Sequence, residues 1–229
     1  MNDVMVLPRR SRVRGPATRS ATWWGKAWVR SFEETVLEPR DLVAARALAR
    51  SGRLGPVLVM SGMASAAVDP GGSTTLIAQV RVDRLDDGQW DVFLAELGRE
   101  SGYVAALELG DLPAELVEHA DEAGVEVVPG PGDLDSACEC DSWAEPCLHV
   151  LALLYQLAWS IDDDPYTLLL LRGRSRDQIA DPSSVGTGEA GDAAARAATI
   201  LALAEDAPTG HGLADTAVAS YDDEVGRLL

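Results

Sequence analysis

The sequence has no long apolar segment. Its longest apolar run, from Val150 to Ala158, is interrupted by Gln156 and is far shorter than the roughly 20 residues of a membrane-spanning helix. The arginines near the N-terminus are followed by Gly15, Pro16 and polar residues instead of the apolar segment of a secretion signal. We therefore expect a cytoplasmic protein with no membrane partner.

Lysine is nearly absent, and the motifs of common enzymes are missing. Lys26 is the single lysine, and it does not belong to the phosphate-binding motif that ends in Gly-Lys-Ser/Thr. Neither the Gly-x-Ser-x-Gly of α/β-hydrolases nor the His-Glu-x-x-His of zinc peptidases occurs. We expect a protein that is not an enzyme.

Basic charge is scarce outside the N-terminal segment. The net charge is −18, yet residues 1–30 carry seven basic side chains and one acidic side chain. Residues 1–21 contain Arg, Pro, Ser and Thr without a helical or strand period, so they are predicted to form a basic flexible arm. The acidic remainder of the chain repels phosphate at long range.

Helical patterns outnumber strand patterns between residues 22 and 180. Trp23, Trp24 and Trp28 recur at helical spacing, and three tryptophans on one helix predict that it is docked on a core. Two strands are predicted at 57–60 and 76–82, with a turn at 69–72 between them, and a third short strand at 125–128. The other predicted helices lie at 42–50, 90–97, from 112 to a stop at Gly124, 148–159 and 166–171.

This pattern predicts an α+β fold, with a helix-rich domain over residues 22–180 and a small β-hairpin. Residues 181–192 are predicted to be a linker and residues 193–229 an Ala-rich helical tail. The run Asp162-Asp163-Asp164 lacks the glycine and terminal Glu of a calcium loop. We expect it to be a solvated turn in which one Asp caps the next helix.

The three cysteines lie within ten residues of each other, which is the most informative fact in the chain. The ligand pattern is Cys138-x-Cys140, six residues, then Cys147-x-His149. Thiolates and imidazole suit Zn²⁺, which takes four ligands in a tetrahedron. Residues two apart face the same side of a strand, so Cys138 and Cys140 can bind one ion. Cys147 and His149 would lie in the first turn of the following helix, after Pro146.

One structural Zn²⁺, held by a zinc-stapled strand–helix unit at about residues 134–160, is therefore predicted. Buried or redox-active thiols are the alternative. The predicted site is closed, because four protein ligands leave no position for water or substrate.

The cysteine pattern resembles the SWIM-type zinc finger, Cys-x-Cys, a variable gap, then Cys-x-His. Trp143 in the gap and Pro146 before the third cysteine agree with it. Trp-Trp-Gly-x-Ala-Trp at 23–28 and Leu-Leu-Arg-Gly-Arg at 170–174 are similar to segments of bacterial SWIM-containing proteins. The resemblance covers about residues 23–180, and it implies a zinc-binding module that contacts DNA or protein, often beside a helicase-like ATPase.

The charge around the predicted site favours a protein partner over nucleic acid. Leu148 stands where the family often has Lys, and Glu139, Asp141 and Glu145 are acidic. We therefore expect an interaction module, an accessory protein of a helicase-like ATPase system, that meets its partner around Glu139 and Trp143. The alternative role of Trp143 is to cover the zinc site.

A nucleic-acid-binding protein is the alternative function. It would use the N-terminal arm together with Arg172, Arg174 and Arg176. These three arginines have a competing interpretation, in which they neutralise the C-terminal end of the 166–171 helix and pair with the acidic body.

Overall fold

The described part of the chain consists of helices and an antiparallel sheet. The computed structural model describes residues 4–12, 20–71 and 74–180. The predicted linker at 181–192 and tail at 193–229 lie outside the described residues. The elements in chain order are β1 (Met5–Leu7), α1 (Trp23–Glu33), α2 (Pro39–Ala49), β2 (Leu54–Met60), β3 (Met63–Val68), β4 (Leu76–Val82), α3 (Asp87–Arg99), α4 (Ser101–Glu108), α5 (Ala114–Glu122), β5 (Leu134–Cys138), α6 (Leu148–Asp163), α7 (Tyr166–Leu171) and α8 (Arg176–Ala180). The predicted α+β class is confirmed.

The sheet is larger than the predicted hairpin. Its five strands follow chain order, β1-β2-β3-β4-β5, and each neighbouring pair is antiparallel. The two predicted strands correspond to β2 and β4, but β3 lies between them, and the predicted turn at 69–72, described as far as Gly71, falls after β3. The tight turn from β2 to β3 uses Gly62 at a φ of +80°, a conformation that glycine adopts without steric strain.

The predicted strand at 125–128 is wrong. This segment has no strand pairing in the described structure, although Val125 and Val127 are both buried in the core. Buried residues alternate here with exposed or half-buried ones because the segment connects α5 to β5 along the surface of the core.

Helix α6 is the centre of the domain. It is apolar on nearly every face, and eleven of its sixteen residues are buried. It packs on α1, on α2 and on the sheet, so it lies between the other two helices and β4. The prediction of a buried helix here is confirmed, and the helix extends four residues beyond the predicted end because Ser160 and Ile161 are also buried.

Helix α1 docks on α6 through its tryptophans, as predicted. Trp24 donates its indole N–H to the carbonyl oxygen of Ile161 at 2.9 Å, and Trp28 donates to that of Leu154 at 3.2 Å. Trp23 donates to the carbonyl oxygen of Leu112 at 3.0 Å. Each ring therefore buries apolar surface and still satisfies its polar group.

Asp162 joins the end of α6 to the start of α1. Its carboxylate accepts hydrogen bonds from the Ser20 hydroxyl at 2.7 Å, from the backbone N–H groups of Ala21 (3.0 Å) and Thr22 (3.1 Å), and from the Thr22 hydroxyl. The Thr22 hydroxyl in turn accepts from the Gly25 N–H and caps α1. The prediction that the Asp run is a solvated turn is therefore wrong for Asp162. It is right that one Asp caps the next helix, because Asp164 accepts from the N–H of Tyr166.

The predicted flexible arm is partly regular structure. Met5–Leu7 pairs with β2 because Met5 and Leu7 pack against the core. Arg9 donates to the Gly52 carbonyl oxygen at 3.0 Å, and Arg10 forms an ion pair with Asp163 at 2.9 Å. Within residues 4–12, two of the three arginines are thus engaged by the domain. Residues 1–3 and 13–19 lie outside the description.

Among the described residues, no helix is both long enough and apolar enough to cross a membrane.

Candidate metal centre

The four predicted ligands come from the edge of the sheet and from the start of the central helix. Cys138 is the last residue of β5 and lies opposite Ala78 on β4, and Cys140 follows two residues later. Cys147 is the N-cap residue of α6, with extended backbone angles, and His149 lies in the first turn. The six-residue connection between the two pairs brings the ends of these elements together.

The ligand atoms form a cluster of the right size for zinc. The three Sγ atoms and one His nitrogen all lie within 4.8 Å of one another. The Nδ1 atom of His149 lies 3.8 Å from the Sγ of Cys138 and 4.0 Å from the Sγ of Cys147. A tetrahedral Zn²⁺ with ordinary bond lengths requires about 3.6 Å between sulfur and nitrogen and about 3.8 Å between two sulfurs. The two sulfur–nitrogen distances thus exceed the zinc geometry by a few tenths of an ångström and the widest pair by up to about 1 Å, and the donor set fits Zn²⁺.

Burial controls the protonation of this cluster. It raises the pKa of Cys138 to about 12, and it also raises that of Cys147, against the opposing effect of the Val150 and His149 backbone N–H groups at the start of α6. For Cys140 burial is outweighed, first by the Ser142 backbone N–H, and its pKa is lowered. A metal ion must displace the protons from Cys138 and Cys147, whose pKa values are raised, so metal binding releases protons.

Burial also lowers the pKa of His149, and the Arg53 guanidinium lowers it further. The imidazole is therefore held neutral, which is the form that binds a metal. Arg53 was not singled out from the sequence, because it precedes β2 and its proximity to His149 arises only from the fold.

No protein-family model matches this chain. The chain is similar to an uncharacterized protein of Mycobacterium tuberculosis (strain ATCC 25618 / H37Rv), with 28% identity over 176 residues. The alignment covers 75% of this chain and 63% of that protein, so the chain spans less than two thirds of its relative's length. No solved structure matches.

The loop between the two ligand pairs exposes an aromatic side chain. Trp143 is 94% exposed, so the alternative that it covers the metal centre is wrong. Leu148, at the first position of α6, is 38% exposed. Glu139 is exposed as well, but one of its carboxylate oxygens accepts from the Ile77 N–H at 2.8 Å, which extends the contact between β5 and β4.

Arg172 is a structural residue and does not belong to a partner-binding surface. It is only 7% exposed, and its guanidinium donates to the backbone carbonyl oxygens of Asp83 and, at 2.7 Å, of Glu126. Its own carbonyl oxygen accepts from the Leu85 N–H and from the Trp90 indole. The predicted partner-binding role is therefore wrong for this residue, because the arginine ties together three loops of the core.

Arg174 and Arg176 are also engaged within the domain. Arg174 is 6% exposed and lies over the Trp90 ring, 5.4 Å from its centroid. Arg176 lies between Glu108 and Asp164, at 3.5 and 3.6 Å. The competing interpretation, in which these arginines pair with the acidic body, describes them better than phosphate contact does. As predicted, α7 ends before Gly173, whose φ is +124°.

Proposed function

We propose that this chain is a zinc-binding interaction module in which one structural Zn²⁺ is held by Cys138, Cys140, Cys147 and His149. The observation that carries the proposal is the mutual proximity of these four ligand atoms, all within 4.8 Å. The SWIM-type pattern of the ligands supports it. Four protein ligands complete a tetrahedron, which favours a structural over a catalytic metal.

We further propose that the partner is a protein and that Trp143 is its main contact. A fully exposed tryptophan in an acidic loop is costly to leave in water and is typical of an interface hot spot. Glu139, Asp141 and Glu145 disfavour a phosphate backbone at this surface. From the resemblance to bacterial SWIM-containing proteins, we propose that this partner is a helicase-like ATPase.

The metal is tested first, by native mass spectrometry of the full chain purified without added metal. We expect one Zn²⁺ per chain, with loss of three reactive thiols on loading. Zinc-free protein that carries three freely reactive thiols and cannot be loaded would refute the site.

The partner is tested with the zinc-loaded chain and a helicase-like ATPase from the same organism. We expect Trp143→Ala to weaken their binding at least tenfold, whereas Leu109→Ala, at an 87% exposed position on α4's C-terminal cap, leaves it unchanged. A 20-base-pair DNA duplex is titrated in parallel at several salt concentrations. Tight DNA binding that falls steeply with salt and depends on Trp143, without ATPase binding, would favour the nucleic-acid alternative.

A further inference from the structure

The outer edge of β5 presents unpaired backbone groups. Glu139 donates its N–H to the Ile77 carbonyl oxygen, and Ala78 lies opposite Cys138. In an antiparallel pair, the backbone N–H and C=O groups of successive residues point alternately towards the neighbouring strand and away from it. The N–H and C=O groups of the alternate β5 residues, Leu134, Ser136 and Cys138, therefore face away from β4.

The pairing between β4 and β3 leads to the same assignment of inward and outward residues on β5. Val82 donates its N–H to the Gly62 carbonyl oxygen, so the backbone groups of the even-numbered β4 residues point towards β3. Those of the odd-numbered β4 residues therefore point towards β5. Within the described ranges, β5 is the last strand of the sheet, and no hydrogen bond occupies the outward backbone groups of Leu134, Ser136 and Cys138. Asp135 and Ala137 are exposed, so the strand is accessible from the solvent.

The surface around this edge is acidic. No lysine or arginine occurs between Arg99 and Arg172, and β5 with the following loop carries Asp135, Glu139, Asp141 and Glu145. One basic side chain, Arg81 on β4, lies opposite Asp135 in the register of the sheet. An edge with unpaired backbone groups and this charge is complementary to an extended chain that carries positive side chains.

We propose that the outer edge of β5 binds an extended basic segment of the protein partner as a sixth strand of the sheet. This inference rests on the proposed function, since the partner that meets Trp143 also supplies the strand. Backbone hydrogen bonds to the three outward residues would provide the affinity, and positive side chains opposite Asp135 and Glu139 the specificity.

Charge argues against the other two occupants of the edge. A second copy of the chain would place the acidic residues of two β5 strands side by side, which is destabilising in a sheet. Residues 181–229 of the same chain contain nine acidic and two basic side chains, so they are repelled as well.

The test measures binding of a fluorescein-labelled peptide, Lys-Val-Arg-Val-Lys-Val-Arg, to the zinc-loaded full chain by fluorescence anisotropy. One control peptide carries Glu in place of every Lys and Arg, and a second is N-methylated on alternate backbone amides. Ser136→Pro removes one outward N–H without removing a bond to β4, and Ser136→Ala is the matched control that keeps this N–H. Zinc content is measured for both variants.

We expect the basic peptide to bind, and both the N-methylated peptide and Ser136→Pro to weaken binding at least tenfold, while Ser136→Ala leaves it unchanged. Hydrogen exchange at Ser136 and Cys138 should slow when the basic peptide is bound. Equal binding of the N-methylated peptide, or no binding up to about 1 mM, would overturn the proposal even where Ser136→Pro fails to fold. Tighter binding of the acidic peptide, or a dimer that Ser136→Pro dissociates, would also overturn it.

The failure of this inference and that of the proposed function are distinguishable. If zinc-loaded Ser136→Pro binds the ATPase as well as the parent chain does, and Trp143→Ala does not, then the sixth strand is refuted and the interaction module stands. If the chain binds no zinc, the proposed function itself fails.

Discussion

Replacement of Asp162 by Ala should destabilise the domain much more than the same change at its neighbour Asp163. The Asp162 carboxylate accepts four hydrogen bonds from the segment that leads into α1, and two of the donors are backbone N–H groups. Asp163 has one ion-pair partner, Arg10, and its side chain is 71% exposed. The two variants therefore remove the same charge from adjacent positions and differ mainly in the contacts that are lost.

The expected magnitude follows from those contacts. Hydrogen bonds to a charged group contribute about 1.5–3 kcal/mol each where they are buried, and removal of a helix-capping contact costs about 1 kcal/mol. Asp162 is half-buried, so water replaces part of what is lost, and we expect a total loss of about 2–3 kcal/mol. At about 2–4 °C per kcal/mol for a chain of this size, the melting temperature should fall by about 4–12 °C. Asp163→Ala should cost under about 1 kcal/mol.

Urea unfolding followed by tryptophan fluorescence measures this difference directly, because α1 carries three tryptophans. Asp162→Asn keeps an acceptor oxygen without the charge, and it should lie between the parent chain and Asp162→Ala. Zinc content should not change in any of the three variants, since Asp162 is at the far end of α6 from His149. If Asp162→Ala and Asp163→Ala lose the same free energy of unfolding, the role assigned to this carboxylate is wrong.

Three further predictions follow from the packing and the candidate metal centre. Cys140→Ser should abolish zinc binding in native mass spectra and lower the melting temperature sharply, since structural zinc contributes roughly 10–16 kcal/mol in isolated fingers. An unchanged melting temperature would mean that the cysteines pack in the core and do not bind a metal. Arg172→Ala should cost about 3 kcal/mol in urea unfolding, because a buried guanidinium that donates to two backbone carbonyl oxygens is lost. Arg176→Ala should cost under about 1 kcal/mol, and equal losses would contradict this. Gly25→Ala should destabilise by more than about 2 kcal/mol, since its Cβ would clash with Asp162 Oδ1, and this cost should shrink in an Asp162→Ala background.

The parts of the fold that were predictable are those whose signal is local. The tryptophans of α1 recur at helical spacing, and an apolar character on nearly every face, as in α6, is typical of a central helix. The four candidate metal ligands are close in sequence, and they lie at the end of a strand and the start of a helix. Pattern and structure therefore agree at these positions.

The parts that were not predictable depend on partners distant in the sequence. Strand β3 reads Met-Ala-Ser-Ala-Ala-Val, with no alternation of apolar and polar residues, because consecutive residues on both faces of the strand are buried. Strand β1 is three residues long and forms only because β2 is there to pair with it. The sequence gives no sign that Arg172 is buried, because the two carbonyl oxygens to which it donates belong to loops that are distant in the sequence. In each case tertiary contacts, and not local propensity, determine the outcome.

The docking of α1 on α6 has a consequence for synthesis of the chain. Trp24 and Trp28 are almost completely buried, and their indole groups donate to carbonyl oxygens of α6, well over 100 residues later in the sequence. During translation at about 5–20 residues per second, synthesis of α1 ends roughly 7–26 s before that of α6. For that interval the apolar face of α1 has no native surface to cover it, so the helix cannot reach its buried state before α6 has been made.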